Sequence, residues 1–170
     1  MSVKKILLYP NPILKTPSQE ITDLSKSIQE MIQDMEDTFY NSPGCVGIAA
    51  PQVGFSYRII VIDATRAKKA KKNKNPHGKL ICINPKIQNR QDQIRFREGC
   101  LSIPDFTGNV IRSKKVTVSF LDENLNNRSI ECEGFESVIF QHEIDHLDGI
   151  LFLDRVRSLK QDIFRRKKYL

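Results

Sequence analysis

The stretch QHEIDHLDG, Gln141 to Gly149, contains His142-Glu143-x-x-His146 and sets the question that the rest of the chain has to answer. On a helix, residues four apart project from one face, so His142 and His146 can grip one cation. Glu143 beside them is placed to take a proton from a water that the cation activates. The plain alternative is a solvent-facing helix that happens to hold two histidines, and the flanking pattern is too specific for it. At about 100° per residue, Phe135, Val138, Ile139, His142 and His146 share a band roughly 120° wide. The apolar part of that band reads either as core or as a pocket beside the metal suited to a hydrophobic side chain.

Two imidazoles do not complete a site. One large class of metalloproteases extends the motif to H-E-x-x-H-x-x-G-x-x-H; this chain matches through Gly149 and then has Phe152 where the last histidine belongs. A second class takes a downstream glutamate, and no glutamate follows Glu143. The third ligand therefore lies upstream, among His77 and the four cysteines. His77 sits in a Lys/Asn-rich stretch, a poor platform for a rigid ligand. Cys82 and Cys132 stand in β-like runs with apolar neighbours and read as core thiols, while Cys45 stays open. Cys100 stands apart in EGCLSIP, Glu98 to Pro104, where Gly99 frees the backbone before it and Pro104 ends the strand after it. One thiolate with two imidazoles suits zinc or ferrous iron, and a fourth position left for water marks a catalytic site.

At 170 residues the chain has the length of one compact domain with a real core, here residues 1–170 throughout. Its apolar runs fall far short of the roughly 20 residues of a membrane span. The opening MSVKKILLYPNP has too short an apolar run for a secretory signal, so a cytosol-like compartment with free thiols is expected. The lack of a C-x-x-C pair argues against a zinc ribbon. The net charge of +7 gathers in two runs, Arg66 to Lys79 and the tail RRKKYL. The first reads as solvated lysines on a loop between strands, its low-complexity part spanning Ala67 to Asn75.

Between Asp23 and Tyr40, Ile28, Met31, Ile32, Met35 and Phe39 recur at three- and four-residue steps, which predicts an amphipathic helix ended by Pro43 and Gly44. Five β-like runs follow: Tyr57 to Ala64, Lys79 to Ile87, Gln93 to Leu101, Lys115 to Asp122 and Arg128 to Phe135. DENLNN supplies a hairpin connection between the last two. A second helix is expected from Glu136 to Leu147, ended by Gly149, and a third, basic helix from Asp154. Strands in the middle with helices at both ends predict an α+β fold: mixed or antiparallel sheet packed around a central HExxH helix, with N-terminal and C-terminal helices.

Three motifs in order, CVGIAAPQ (Cys45 to Gln52), EGCLS (Glu98 to Ser102) and QHEIDHLDG, resemble the peptide deformylases, as does the opening ILLYPNPILKTPSQEI (Ile6 to Ile21). The likeness covers nearly the whole chain. It departs at Cys45, where the family usually has glycine; a side chain there adds bulk near the substrate pocket and a rival thiol near the metal. The resemblance implies Cys100, His142 and His146 as ligands of one divalent ion, with Fe2+ physiological and Zn2+, Ni2+ or Co2+ found in preparations. Glu143 would be the general base and then acid, and Gln52 and the N–H of Leu101 would bind the oxyanion. Val46, Gly47 and Gly99 would pair with the substrate backbone as an added strand. Phe135, Val138, Ile139, Cys45, Val46 and Phe96 would surround a methionine side chain, and Arg112 would pair with Glu98 behind the ligands.

The substrate so implied is the N-formyl-methionyl end of a nascent polypeptide, released as formate, in a bacterial cytosol. The tail cations Arg155, Arg157, Lys160, Arg165, Arg166, Lys167 and Lys168 read equally as a soluble helix face or as a contact with the ribosome near its exit tunnel. Neither a membrane nor a specific DNA site is expected. Two rivals carry their own marks. A peptide-bond metalloprotease would cleave unformylated peptides, and a non-catalytic ribosome-associated metal binder would have lost Glu143, Gln52 or a ligand; all are present.

Overall fold

The computed structural model describes residues 2–67 and 76–166. Helix α1 (Lys26–Asn41) starts where the Ser25 side chain accepts the N–H of Ile28, and it buries Ile28, Met31, Ile32, Met35 and Phe39. Strand β1 (Gly47–Ala49) pairs with β2 (Ile59–Asp63), whose run IIVI is apolar at every position because both of its faces are covered. Ile59 and Val61 pack into the cluster that holds α1, while Ile60 and Ile62 pack against the HExxH helix. The Lys/Asn-rich stretch read as a loop lies, from residue 68 to 75, outside the described residues.

The sequence suggests separate strands at Lys79 to Ile87 and Gln93 to Leu101, but these are one strand, β3 (Lys79–Cys100). From Ile83 onward it pairs with β4 (Ile103–Leu121), and the polar segment is carried in that pairing, with Asn89 opposite Thr117 and Arg90 opposite Val116. Register shifts at Ile83/Lys86 and Ile87/Asn89 break the regular alternation, so the segment does not announce itself as strand. β5 (Asn127–Glu133) closes the expected hairpin, where Asp122 Oδ1 accepts the N–H groups of Asn124 and Asn126 at 2.9 and 3.0 Å. The strands run β1-β2-β3-β4-β5 in chain order, all antiparallel.

Helix α2 (Phe135–Leu147) is buried along almost every residue, packed on Ile60, Ile62, Val116 and Val118. It leaves through Gly149, at φ +71°, where a Cβ would lie 2.8 Å from the carbonyl carbon and oxygen of Lys15. The tail departs from the expected basic helix. It makes two single turns, α3 (Phe152–Arg155) and α4 (Leu159–Asp162), and then a short strand, β6 (Ile163–Arg165). β6 pairs with Phe106–Gly108 of β4, so a long-range edge contact overrides local helix propensity. No described helix is long and apolar enough to cross a membrane.

Candidate active site

The end of β3 and the middle of α2 bring Cys100, His142 and His146 together, their ligand atoms within 4.8 Å of one another. Cys100 Sγ lies 3.2 Å from His146 Nε2. His142 Nδ1 bonds Glu98 Oε2 at 2.7 Å, which leaves Nε2 of that ring for the cluster. Burial alone would raise the Cys100 thiol, but the imidazoles of His146 and His142 outweigh it and hold the thiol well below its ordinary range. A buried site that favours thiolate beside two imidazoles has the donor chemistry of a divalent transition-metal centre. Cys45 stands outside this cluster: its thiol donates to the Gly47 carbonyl at 3.2 Å, and burial first, then the Glu143 carboxylate, push it up to about 12.

Behind the ligands lies a buried charge network. Arg112, expected from the sequence to pair with Glu98, does so through Nε–Oε1 at 2.6 Å and Nη2–Oε2 at 3.0 Å. Its remaining arm donates to Asp145 Oδ2 at 2.6 Å, and Arg155 Nη2 donates to Asp145 Oδ1 at 2.7 Å. Glu98, Arg112 and Asp145 are each 5% exposed, so these are ion pairs away from water. Burial would raise Glu98, yet Arg112 and His142 bring it down to about 2 from an ordinary 4.5. A carboxylate whose folded pKa is depressed stabilises the fold above its unfolded pKa and loses that contribution as pH falls toward the folded one. Glu98 is therefore expected to contribute about 3 kcal/mol at neutral pH. Acid unfolding monitored between pH 5 and 2 should show that loss, and Glu98→Gln should flatten it.

Glu143 faces the cluster from α2. Its Oε2 is buried with no hydrogen-bond partner among the described residues, and burial raises its carboxyl, partly offset by His142 and His146. Gly47 on β1 makes this placement possible, since a Cβ there would lie 2.5 Å from Glu143 Oε1 and 2.9 Å from its Cδ. Gly47→Ala is accordingly expected to lower kcat/KM by about 10²-fold through a displaced carboxylate, with metal content unchanged. Gln52 is held by the short turn after β1: its Oε1 accepts the Ala49 N–H at 2.9 Å, and its Nε2 donates to Cys100 Sγ and Ser102 Oγ at 3.4 and 3.2 Å.

These groups open onto a cleft of about 460 Å³. Cys45, Val46, Gly47, Gln52, Phe96, Gly99, Cys100, Leu101, Phe135, Val138, Ile139, His142 and Glu143 all line it, while His146 sits behind at 1% exposure. The Phe96 and Phe135 rings stack at 5.5 Å, forming one apolar wall. Cys45 does not have positive φ, so the side chain is accommodated without backbone strain. Sequence reasoning missed two participants. Asp145 occupies one of the two positions that the His-Glu-x-x-His pattern leaves unspecified, and its role depends on Arg112 and Arg155 arriving from elsewhere. Arg166, read as part of a basic helix, instead reaches the cleft from the end of β6, with its guanidinium against Gly99.

The comparisons agree with this geometry. A sequence model of the family described as polypeptide deformylase matches residues 3–162. A peptide deformylase of Acidobacterium capsulatum is 40% identical over 169 residues, covering 98% of this chain and 94% of that protein. One from Aquifex aeolicus is 40% identical over 159 residues, covering 94% and 90%. Among solved structures, a peptide deformylase from Legionella pneumophila aligns with a TM-score of 0.83 at 38% identity, covering 94% of this chain and 89% of that one. A class I type b peptide deformylase from Acinetobacter baumannii with Met-Ala-Ser bound aligns at 0.84 and 31%, covering 92% and 100%. A full-length match in sequence and fold, joined to the thiolate–imidazole cluster and its facing glutamate, places this chain in the polypeptide deformylase family.

Proposed function

We propose that this single-domain chain removes the N-formyl group from N-terminal methionine with the residues assembled at the cleft, and that the resident ion is Fe2+. The observation that carries the assignment is the Cys100–His142–His146 cluster with Glu143 Oε2 beside it, an oxygen without a hydrogen-bond partner among the described residues. Cys100, His142 and His146 would hold a divalent ion that would supply Lewis acidity to a water and to the formyl carbonyl. Glu143 accepts the proton of that water and returns it to the departing amine. Gln52 Nε2 and the Leu101 N–H donate to the oxygen on which negative charge develops.

Gly47 opens β1, a terminal strand of the sheet, with Val46 just before it, and Gly99 lies near the end of β3. A peptide laid between them gains backbone hydrogen bonds whatever its sequence, as suits an enzyme acting on many nascent chains. The stacked Phe96 and Phe135 with Val138 and Ile139 then take the methionine side chain. Formate release from N-formyl-Met-Ala-Ser, run beside an unformylated peptide, tests the reading. Release from the first alone supports it; internal cleavage of the second would replace it with a peptidase.

Fe2+ follows from family resemblance together with a donor set that zinc also suits. Iron-loaded protein is expected to lose its activity in air, with Cys100 oxidised, whereas nickel-loaded protein keeps it; mass spectrometry of the Cys100 peptide checks the pairing. Ribosome contact, in a bacterial cytosol, is proposed for Arg157, Lys160 and Arg165, which are exposed. Arg155 and Arg166 are engaged with Asp145 and the cleft, and residues 167–170 lie outside the described residues. Binding that weakens steeply with salt and with charge reversal at these three positions would support that contact.

A further inference from the structure

A second cluster of ligand-type side chains lies away from the cleft. Cys132 of β5, Glu136 in the first turn of α2 and His77 just before β3 bring a thiol, a carboxylate and an imidazole within 4.8 Å of one another. Glu136 is 3% exposed and Cys132 2%. His77 wraps over the carboxylate, donating its backbone N–H to Oε1 at 2.9 Å while its Nδ1 meets Oε2 at 2.9 Å. The His77 side chain is 34% exposed, so the cluster has a wet side. Cys132 and Glu136 also border a cavity of about 200 Å³ framed by Asn89, Lys115 and Glu131, and no residue of its lining belongs to the catalytic cleft.

We infer that Cys132, His77 and Glu136 form a second metal site, one that takes Zn2+ and braces the start of α2 against β5 and the segment entering β3. Three observations on the cluster favour an ion over a simple hydrogen-bond tie. Glu136 is a buried carboxylate whose ion-pair partner, among the described residues, is a histidine and not a lysine or arginine, so a permanent counter-charge is lacking. The donor set of one sulfur, one nitrogen and one oxygen is that of zinc, with water from the cavity to complete four positions. Charge also closes: thiolate and carboxylate balance a divalent ion while the imidazole stays neutral.

The proton count is simple. On binding, the Cys132 thiol releases its proton to solvent, and His77 shifts its ring proton to Nε2 so that Nδ1 can ligate. Because binding releases that proton, uptake should strengthen as pH rises. Cys82, fully buried nearby, falls outside the ligand distance and has no part in the site.

The test is zinc stoichiometry. Reduced protein is loaded with excess zinc, desalted and assayed for metal and protein. The expected result is about two ions per chain in the parent and about one in both His77→Ala and Cys132→Ser, with formate release kept within about twofold and Cys82→Ala still holding two. A second arm blocks the catalytic centre with Cys100→Ser and His142→Ala and adds cobalt. A thiolate-to-cobalt absorption band should persist there and vanish when Cys132→Ser is added. A parent that retains about one zinc overturns the site, as does a second ion that survives both His77→Ala and Cys132→Ser. His77 is partly exposed, so its variant reports on the site without emptying the core.

Discussion

Glu143→Ala is expected to lower kcat/KM for formate release by about 10²–10⁴-fold, the range for loss of a positioned general acid–base. Its metal content should match that of the parent, because Glu143 stands outside the ligand cluster. The carboxylate is 4% exposed and held against Gly47, so it faces the ligand cluster from a fixed position. Burial raises its carboxyl above an ordinary 4.5. The base must be deprotonated, so activity falls as pH drops through its pKa, and this acid limb of the parent's pH profile should disappear in the variant. Glu143→Gln keeps the shape without the basicity and should be as inactive. A variant that keeps its rate with metal bound would remove Glu143 from the chemistry.

Arg112→Met should be the most destabilising single change near the site, by about 3–5 kcal/mol, because it removes the cation shared by two buried carboxylates, leaving Glu98 with only His142 and Asp145 with the half-exposed Arg155. For a chain of this length that corresponds to a fall in Tm of roughly 6–20 °C, read from thermal or urea unfolding. Arg112→Lys is not a rescue, since an ammonium cannot meet Glu98 through two parallel bonds while reaching Asp145. Adding Glu98→Gln to Arg112→Met should recover part of the loss by removing one uncompensated charge. Metal affinity should fall with Arg112→Met as well, through the Glu98–His142 bond. Unchanged stability would show that water reaches these carboxylates in solution.

What the sequence disclosed follows the range over which each signal acts. α1 and α2 were legible because apolar periodicity is local, and the Asp122 turn because its side chain caps its own backbone. The continuity of β3 was not, because Gln88 to Asp92 is polar and extends only by pairing with β4. β6 escaped for the same reason: Ile163–Arg165 is a strand because Phe106–Gly108 offers an edge. At the site, His142, Glu143 and His146 declare themselves by spacing and Cys100 by elimination and its place beside Gly99, whereas Gln52 depended on a family-like motif. Residue chemistry alone set His77 aside as a loop histidine and Cys132 as a core thiol. Their shared approach to Glu136 arises from folding and has no local trace.

The most direct test of the central claim is X-ray absorption at the metal edge of anaerobically prepared enzyme, on a sample whose formate release has been measured and whose His77–Cys132 cluster carries Cys132→Ser. The account predicts one sulfur at about 2.3 Å and imidazole nitrogens at about 2.0–2.1 Å. In the matching Cys100→Ser sample the sulfur shell should be lost, along with the activity. An active sample with no sulfur on its metal, or a sulfur shell that survives Cys100→Ser, would contradict the assignment of Cys100, His142 and His146 as the catalytic ligands.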